Sequence, residues 1–161
     1  MKHNQQQAGF SLLEVMIAIV IIGVGVLGIA ALQTTSSVMT ESSVHRGQAA
    51  ALAIEIVERM RVNMTEAKAG NYDISVLPTL TTNCIGPSKD CSTSELKEHD
   101  LRVWGGRVTA LLPSGSATIS TSADNGVDPV DITVTLQWDD SRGRNTAVSQ
   151  AFTFKLKGLD K

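Results

Sequence analysis

Aromatic side chains are scarce in this sequence. They make up 4% of its 161 residues, too few to line a large aromatic binding surface. Net charge is equally slight, −2 at neutral pH, so nothing in the overall balance drives the chain toward nucleic acid. Histidine occurs only as His3, His45 and His99. No Ser/His/Asp constellation and no metal-ligand spacing surrounds any of the three, so they are read as solvated, and neither catalysis nor a cofactor is expected. Cysteine occurs twice, as Cys84 and Cys91. Two thiols with His99 eight residues on make a poor zinc set. Outside the cytoplasm they are expected to pair across the turn-forming residues Gly86 to Asp90.

The most telling absence is local. Between Glu14 and Glu41 there is no ionisable residue. Val15 to Leu32 is an apolar run of eighteen residues, which as helix spans about 27 Å, close to the hydrocarbon thickness of a bilayer. Lys2 on the short side favours a cytoplasmic N-terminus, so the larger C-terminal part would be exported. Proline is missing from the run, and Gly23, Gly25 and Gly28 punctuate it. An ordinary secretory signal would use Gly28-Ile29-Ala30 as its cleavage site, but the run is too long and Glu14 would lie inside it. A plain single-span anchor explains the length and leaves Glu14 unexplained. A carboxylate at that depth costs about 2.5–3.5 kcal/mol even on the lenient insertion scale and is expected to have a purpose.

What precedes the run supplies one. A short polar leader ends in Gly9-Phe10-Ser11-Leu12-Leu13-Glu14, which resembles the type III signal of type IV pilin-like proteins. The resemblance implies removal of residues 1–9 by prepilin peptidase between Gly9 and Phe10, then N-methylation of Phe10. It also implies that Glu14 meets the new α-amine of a neighbouring subunit and sets axial register. Buried opposite charges tolerate apolar surroundings when paired. Ser11-x-x-Glu14 also fits a capping box, in which Glu14 serves its own helix.

After a Ser/Thr-rich stretch from Gln33 to Ser43, an amphipathic pattern resumes. Ala49, Leu52, Ala53, Ile56, Met60 and Met64 recur at spacings of three and four, which predicts a helix face packed on a sheet. Glu55 and Arg59, four apart, suit an ion pair. One helix from Phe10 to about Asn63 would be roughly 80 Å long. Ala69-Gly70-Asn71 ends the helical region. Ser92-x-x-Glu95 predicts a capped helix carrying Leu96, Leu101, Trp104, Val108 and Leu111, with a break or kink expected at Gly105-Gly106. Pro113-Ser114-Gly115 reads as a turn. Ala117–Ser120, Val130–Trp138 and Phe152–Lys157 alternate as strands, with turns at Asp124-Asn125-Gly126 and from Asp139 to Asn145. The predicted class is α+β, a long N-terminal helix against a small antiparallel sheet. The expected division is a leader (1–9), a hydrophobic assembly helix (10–35), an amphipathic helix (36–69) and a periplasmic globular head (70–161).

Further segments resemble the PilV group of minor pilins, the type IV pilus modification proteins. They are Gly25 to Gln33, Glu58 to Asn63, Asp100 to Trp104, Leu112 to Gly115 and Gln137-Trp138-Asp139. The resemblance implies a low-abundance subunit that helps initiate, assemble or modify a pilus. Its implied partners are other major and minor pilins, the prepilin peptidase/N-methyltransferase and the inner-membrane assembly platform. Its implied location is the bacterial inner membrane with a periplasmic head, and then the fibre at the cell surface. A minor pseudopilin of type II secretion is the alternative. Two weaker patterns are calcium at Asp124, Asp128 and Asp131, which do not match the EF-hand spacing, and a basic strip of Arg59, Arg61, Arg102, Arg107, Arg142 and Arg144, against which interleaved acids argue.

Overall fold

The computed structural model describes residues 11–86, 90–122, 130–140 and 147–157. Its elements in chain order are α1 (Leu12–Val62), α2 (Met64–Lys68), α3 (Thr93–Leu111), β1 (Ser116–Thr121), β2 (Val130–Trp138) and β3 (Val148–Leu156). The class is α+β, with a long N-terminal helix and a small antiparallel sheet, as the sequence pattern predicts. By compactness the chain divides into two units, Met1–Glu41 and Ser42–Lys161.

Within the first unit, α1 turns its apolar side chains outward on every face. Leu12, Ile21, Leu27 and Leu32 are each more than 60% exposed. This segment is long and apolar enough to cross a membrane. The Ser/Thr stretch that follows stays helical, and its hydroxyls bond back to the preceding turn. Thr34 Oγ1 donates to the Ala31 carbonyl at 2.8 Å, Ser37 Oγ to Gln33 at 3.0 Å and Thr40 Oγ1 to Ser36 at 2.9 Å. Bonds of this kind satisfy the hydroxyls locally at a slight cost to the helix.

In the second unit the expected stripe becomes a core. Ala49, Leu52, Ala53, Ile56, Val57 and Met60 of α1 are buried. They join Leu101, Trp104 and Val108 of α3 and the inward residues of the sheet in one cluster. β2 alternates strictly: Val130, Ile132, Val134, Leu136 and Trp138 are buried and the residues between them are not. The sheet is a meander, ordered β1-β2-β3, with antiparallel pairing throughout. Trp104 spans two helices: its indole Nε1–H donates to the Leu52 carbonyl at 2.8 Å.

β3 begins at Val148, four residues before the predicted start, because Val148 to Ala151 pair with Trp138 to Thr135. That partner strand supplies what the weak Val-Ser-Gln-Ala pattern lacks. The predicted break at Gly105-Gly106 does not occur; α3 runs through both glycines. Gly105 is buried, and a Cβ there would meet the Leu77 side chain at 3.4 Å. Its smallness lets a loop approach the helix. The helix start is as predicted, with Ser92 and Glu95 forming a reciprocal capping box. α2 closes with both bonds of a Schellman motif, Asn71 N–H to Glu66 O and Gly70 N–H to Ala67 O, with Gly70 at φ +72°. The Pro113-Ser114-Gly115 turn also forms. A Cβ on Gly115 would lie 2.6 Å from the Val108 carbonyl oxygen, so no other residue fits there without a backbone shift. The predicted turn at Asp124-Asn125-Gly126 and most of that from Asp139 to Asn145 lie outside the described residues.

Candidate functional site

Two places carry the residues singled out from sequence: the start of α1 and the loop preceding α3. Gly9 and Phe10 lie outside the described residues. Ser11 opens α1. Its Oγ accepts from the Leu13 N–H at 3.3 Å, and its carbonyl accepts from Glu14 N–H at 3.0 Å. Ser11 therefore caps through the second helical position, one short of the predicted capping box, and both positions satisfy an orphan amide. Glu14 sits in the first turn, exposed, where an acid complements the helix dipole. Its carboxylate has no side-chain partner among the described residues.

In the head, Cys84 and Cys91 form a disulfide, with Cα atoms 6.0 Å apart. The cystine loop is held on α3 by side chains. The Cys84 N–H donates to His99 Nδ1 at 3.2 Å. Thr82 Oγ1 donates to Glu98 Oε2 at 2.6 Å, and Arg102 Nε donates to the Thr82 carbonyl at 2.7 Å. Ile74 upstream is tied to Ile119 of β1 by two backbone bonds of 3.0 Å. His99 is therefore not solvated, as its sequence context implied, but 7% exposed. Its role is to accept a backbone bond from the cystine.

Sequence reasoning missed a largely buried polar network in the head. Asp100 is 5% exposed. Its Oδ1 accepts from Arg59 Nη1 at 3.0 Å and its Oδ2 from the Tyr72 hydroxyl at 2.9 Å. Asn63 Nδ2 in turn donates to the Tyr72 oxygen at 3.3 Å and to the Thr93 carbonyl at 2.7 Å. Arg59 also reaches Glu55 at 3.1 Å, and Glu55 accepts Arg107 at 2.8 Å. This chain of charges ties α1 to α3 and to the segment after α2. Burial, and then the bond to Asp100, push the Tyr72 phenol well above its usual range. For Arg59, burial works against the charge, but the carboxylates of Asp100 and Glu55 outweigh it and hold the pKa above the ordinary value. One signal was present in the sequence: Asp100, Trp104 and Val108 share the i, i+4, i+8 face that enters the core. Its partners lie far away in sequence and left no local trace.

Three members of the postulated basic strip are taken up in ion pairs, while Arg102 bonds the Thr82 carbonyl. Arg59, Arg61 and Arg107 each sit on a carboxylate, and Arg142 and Arg144 lie outside the described residues. Asp131 bonds Lys155 at 3.0 Å; Asp124 and Asp128 lie outside the described residues as well. Glu66 accepts from Asn71 and Thr93, and these two bonds lower its pKa.

Two protein-family models match the chain. One, described as a prokaryotic N-terminal methylation motif, matches residues 4–30. The other, described as Type IV pilin Tt1218, matches residues 31–102. The two segments adjoin and together cover more than half of the 161 residues. No curated protein and no solved structure matches.

Proposed function

The chain belongs to the type IV pilin-like family, and on that premise we propose that it is a minor pilin of the PilV type, a structural subunit that assists assembly, initiation or modification of a type IV pilus. One observation carries this reading. The matched methylation motif spans Gly9, Phe10 and Glu14 and runs into a helix apolar enough to cross a membrane. In the proposed sequence of events, prepilin peptidase cleaves between Gly9 and Phe10, residues 1–9 leave, and the Phe10 amine is methylated. The precursor waits in the inner membrane with its head in the periplasm. On assembly, Glu14 pairs with the α-amine of a neighbouring pilin. The charge-free surface from Val15 to Leu32 then exchanges lipid for the helices of other subunits. The disulfide supports the exported location of the head, since such bonds persist in oxidising compartments.

Mass spectrometry of the mature N-terminus, from cells with and without prepilin peptidase, tests the reading. An N-methylated Phe10 that depends on the peptidase is the expected result. A chain beginning at Ala31 would mean a conventional secreted protein and would remove the assignment. Glu14→Ala and Glu14→Gln are expected to abolish incorporation while leaving the membrane-bound precursor intact; normal incorporation would refute the docking role. Deletion of the protein separates two machines: loss of pili supports the proposal, whereas loss of protein secretion with pili intact transfers the chain to type II secretion.

A further inference from the structure

A cleft of about 300 Å³ opens on the head between the loop at Leu77–Leu80 and the outer face of α3. Leu77, Pro78 and Leu80 form an apolar wall; Arg102, Gly106 and Thr109 lie along the helix side. Two features of this cleft bear on what it could hold.

Gly106 is the first. A glycine inside a helix weakens it by roughly 1 kcal/mol relative to alanine. Its neighbour Gly105 is accounted for by the close approach of Leu77. Gly106 is exposed, and a Cβ placed there would meet nothing within 4 Å. The fold has ample room for alanine at this position. A bare helix backbone beside an open cleft is what the close approach of another chain requires.

Arg102 is the second. Arg59, Arg61 and Arg107 each rest on a carboxylate, whereas the contacts of Arg102 are the Thr82 carbonyl and His99 Nδ1. Neither is a carboxylate, and they face Nε and Nη2. Among the described residues Nη1 has no partner, and the cation lines the cleft, so the complementary ligand is anionic.

We propose that this cleft docks an acidic segment of another protein, with an apolar side chain against Leu77 and Leu80, a glutamate or aspartate on Arg102, and its backbone close over Gly106. The volume lies at the small end of the range for ligand pockets, roughly 300–1,000 Å³, and suits one or two side chains of a peptide. The proposal rests on the geometry of the head alone and does not require the pilus reading.

The test uses the full chain in detergent micelles. The probes are the synthetic peptides Ac-Leu-Glu-Ala-NH2 and Ac-Leu-Gln-Ala-NH2 at millimolar concentration, followed by amide NMR shifts at Gly105, Gly106 and Thr109. The glutamate peptide is expected to bind about threefold tighter than the glutamine peptide, the size of effect a partly exposed ion pair gives. Arg102→Gln should erase that difference. Gly106→Ala should raise the melting temperature by a few degrees, because alanine favours helix, and should weaken binding of both peptides. Gly106→Leu should block them. Absent shifts, equal binding of the two peptides, or undiminished binding by Gly106→Leu would each overturn the proposal. The rise in melting temperature shows that Gly106→Ala is folded, so lost binding in that variant cannot be charged to misfolding.

Discussion

One helix serves two regimes, and they differ in where its partners come from. From Leu12 to Leu32, α1 is apolar on all faces and exposed. From Ala49 to Met60 it is apolar on one face, and that face is buried in the head. Their carboxylates repeat the contrast. Asp100 sits inside the head with Arg59 and Tyr72 already bonded to it. Glu14 sits beside an apolar run with no side-chain partner among the described residues. An apolar stripe one-third of a helix wide is satisfied by a sheet and a second helix of the same chain. Apolar character on every face is satisfied only by lipid or by other helices. The comparison separates residues that stabilise this subunit from those proposed to join it to others.

Truncation in the core gives the sharpest contrast. Trp104→Ala is expected to destabilise the head by about 3–5 kcal/mol, because it opens a cavity and strands the Leu52 carbonyl interaction. Leu27→Ala, at a position 72% exposed, is expected to stay within about 0.5 kcal/mol. Denaturant unfolding of both variants in micelles measures the gap, and comparable losses would erase the distinction between the two regions.

The carboxylates come next. Asp100→Ala leaves Arg59 and Tyr72 without their buried acceptor and is expected to cost about 2–3 kcal/mol. Glu14→Ala is expected to leave unfolding of the head unchanged and to act only on assembly. Opening the disulfide ranks close behind. Cys84→Ser with Cys91→Ser should cost about 2–3 kcal/mol by the loop-entropy model, and loss of hydrogen-exchange protection should concentrate between Leu80 and Cys91.

The smallest effects are titrations. The Tyr72 phenol is raised in the folded state, so its contribution is full below the unfolded phenol pKa of about 10 and is lost as pH rises toward the folded value. Stability should therefore fall on the alkaline side, and Tyr72→Phe should flatten that limb. Glu66 is lowered by Asn71 and Thr93. Its contribution is present above the ordinary carboxylate pKa, about 4.3, and is lost as pH falls below it. The stability difference between wild type and Glu66→Ala should shrink between pH 5 and the acid limit, and a constant difference would discount the carboxylate.

Much of the architecture was legible because it is written in local periods. The 3.6-residue stripe from Ala49 to Met60, the period-two run from Val130 to Trp138 and the Ser92/Glu95 box each declare an element within one short window. The start of β3 was not legible. Val-Ser-Gln-Ala has little strand character, and only pairing with Trp138 to Thr135 makes it a strand. Gly105 and Gly106 misled for a related reason: whether a glycine pair kinks a helix depends on what packs there, and Leu77 packs there.

The sequence by itself determined the two characters of the N-terminal helix, the placement of Glu14 ahead of a charge-free run and the order of helix and strands. Those properties follow from which residue types succeed one another along the chain. Only the tertiary structure decided that Asp100 meets Arg59 and Tyr72, that His99 turns inward to hold the cystine loop and that Gly106 borders an open cleft. Such contacts join residues as many as 41 positions apart, and short-range pattern carries no information about which distant side chain a fold will bring within 3 Å.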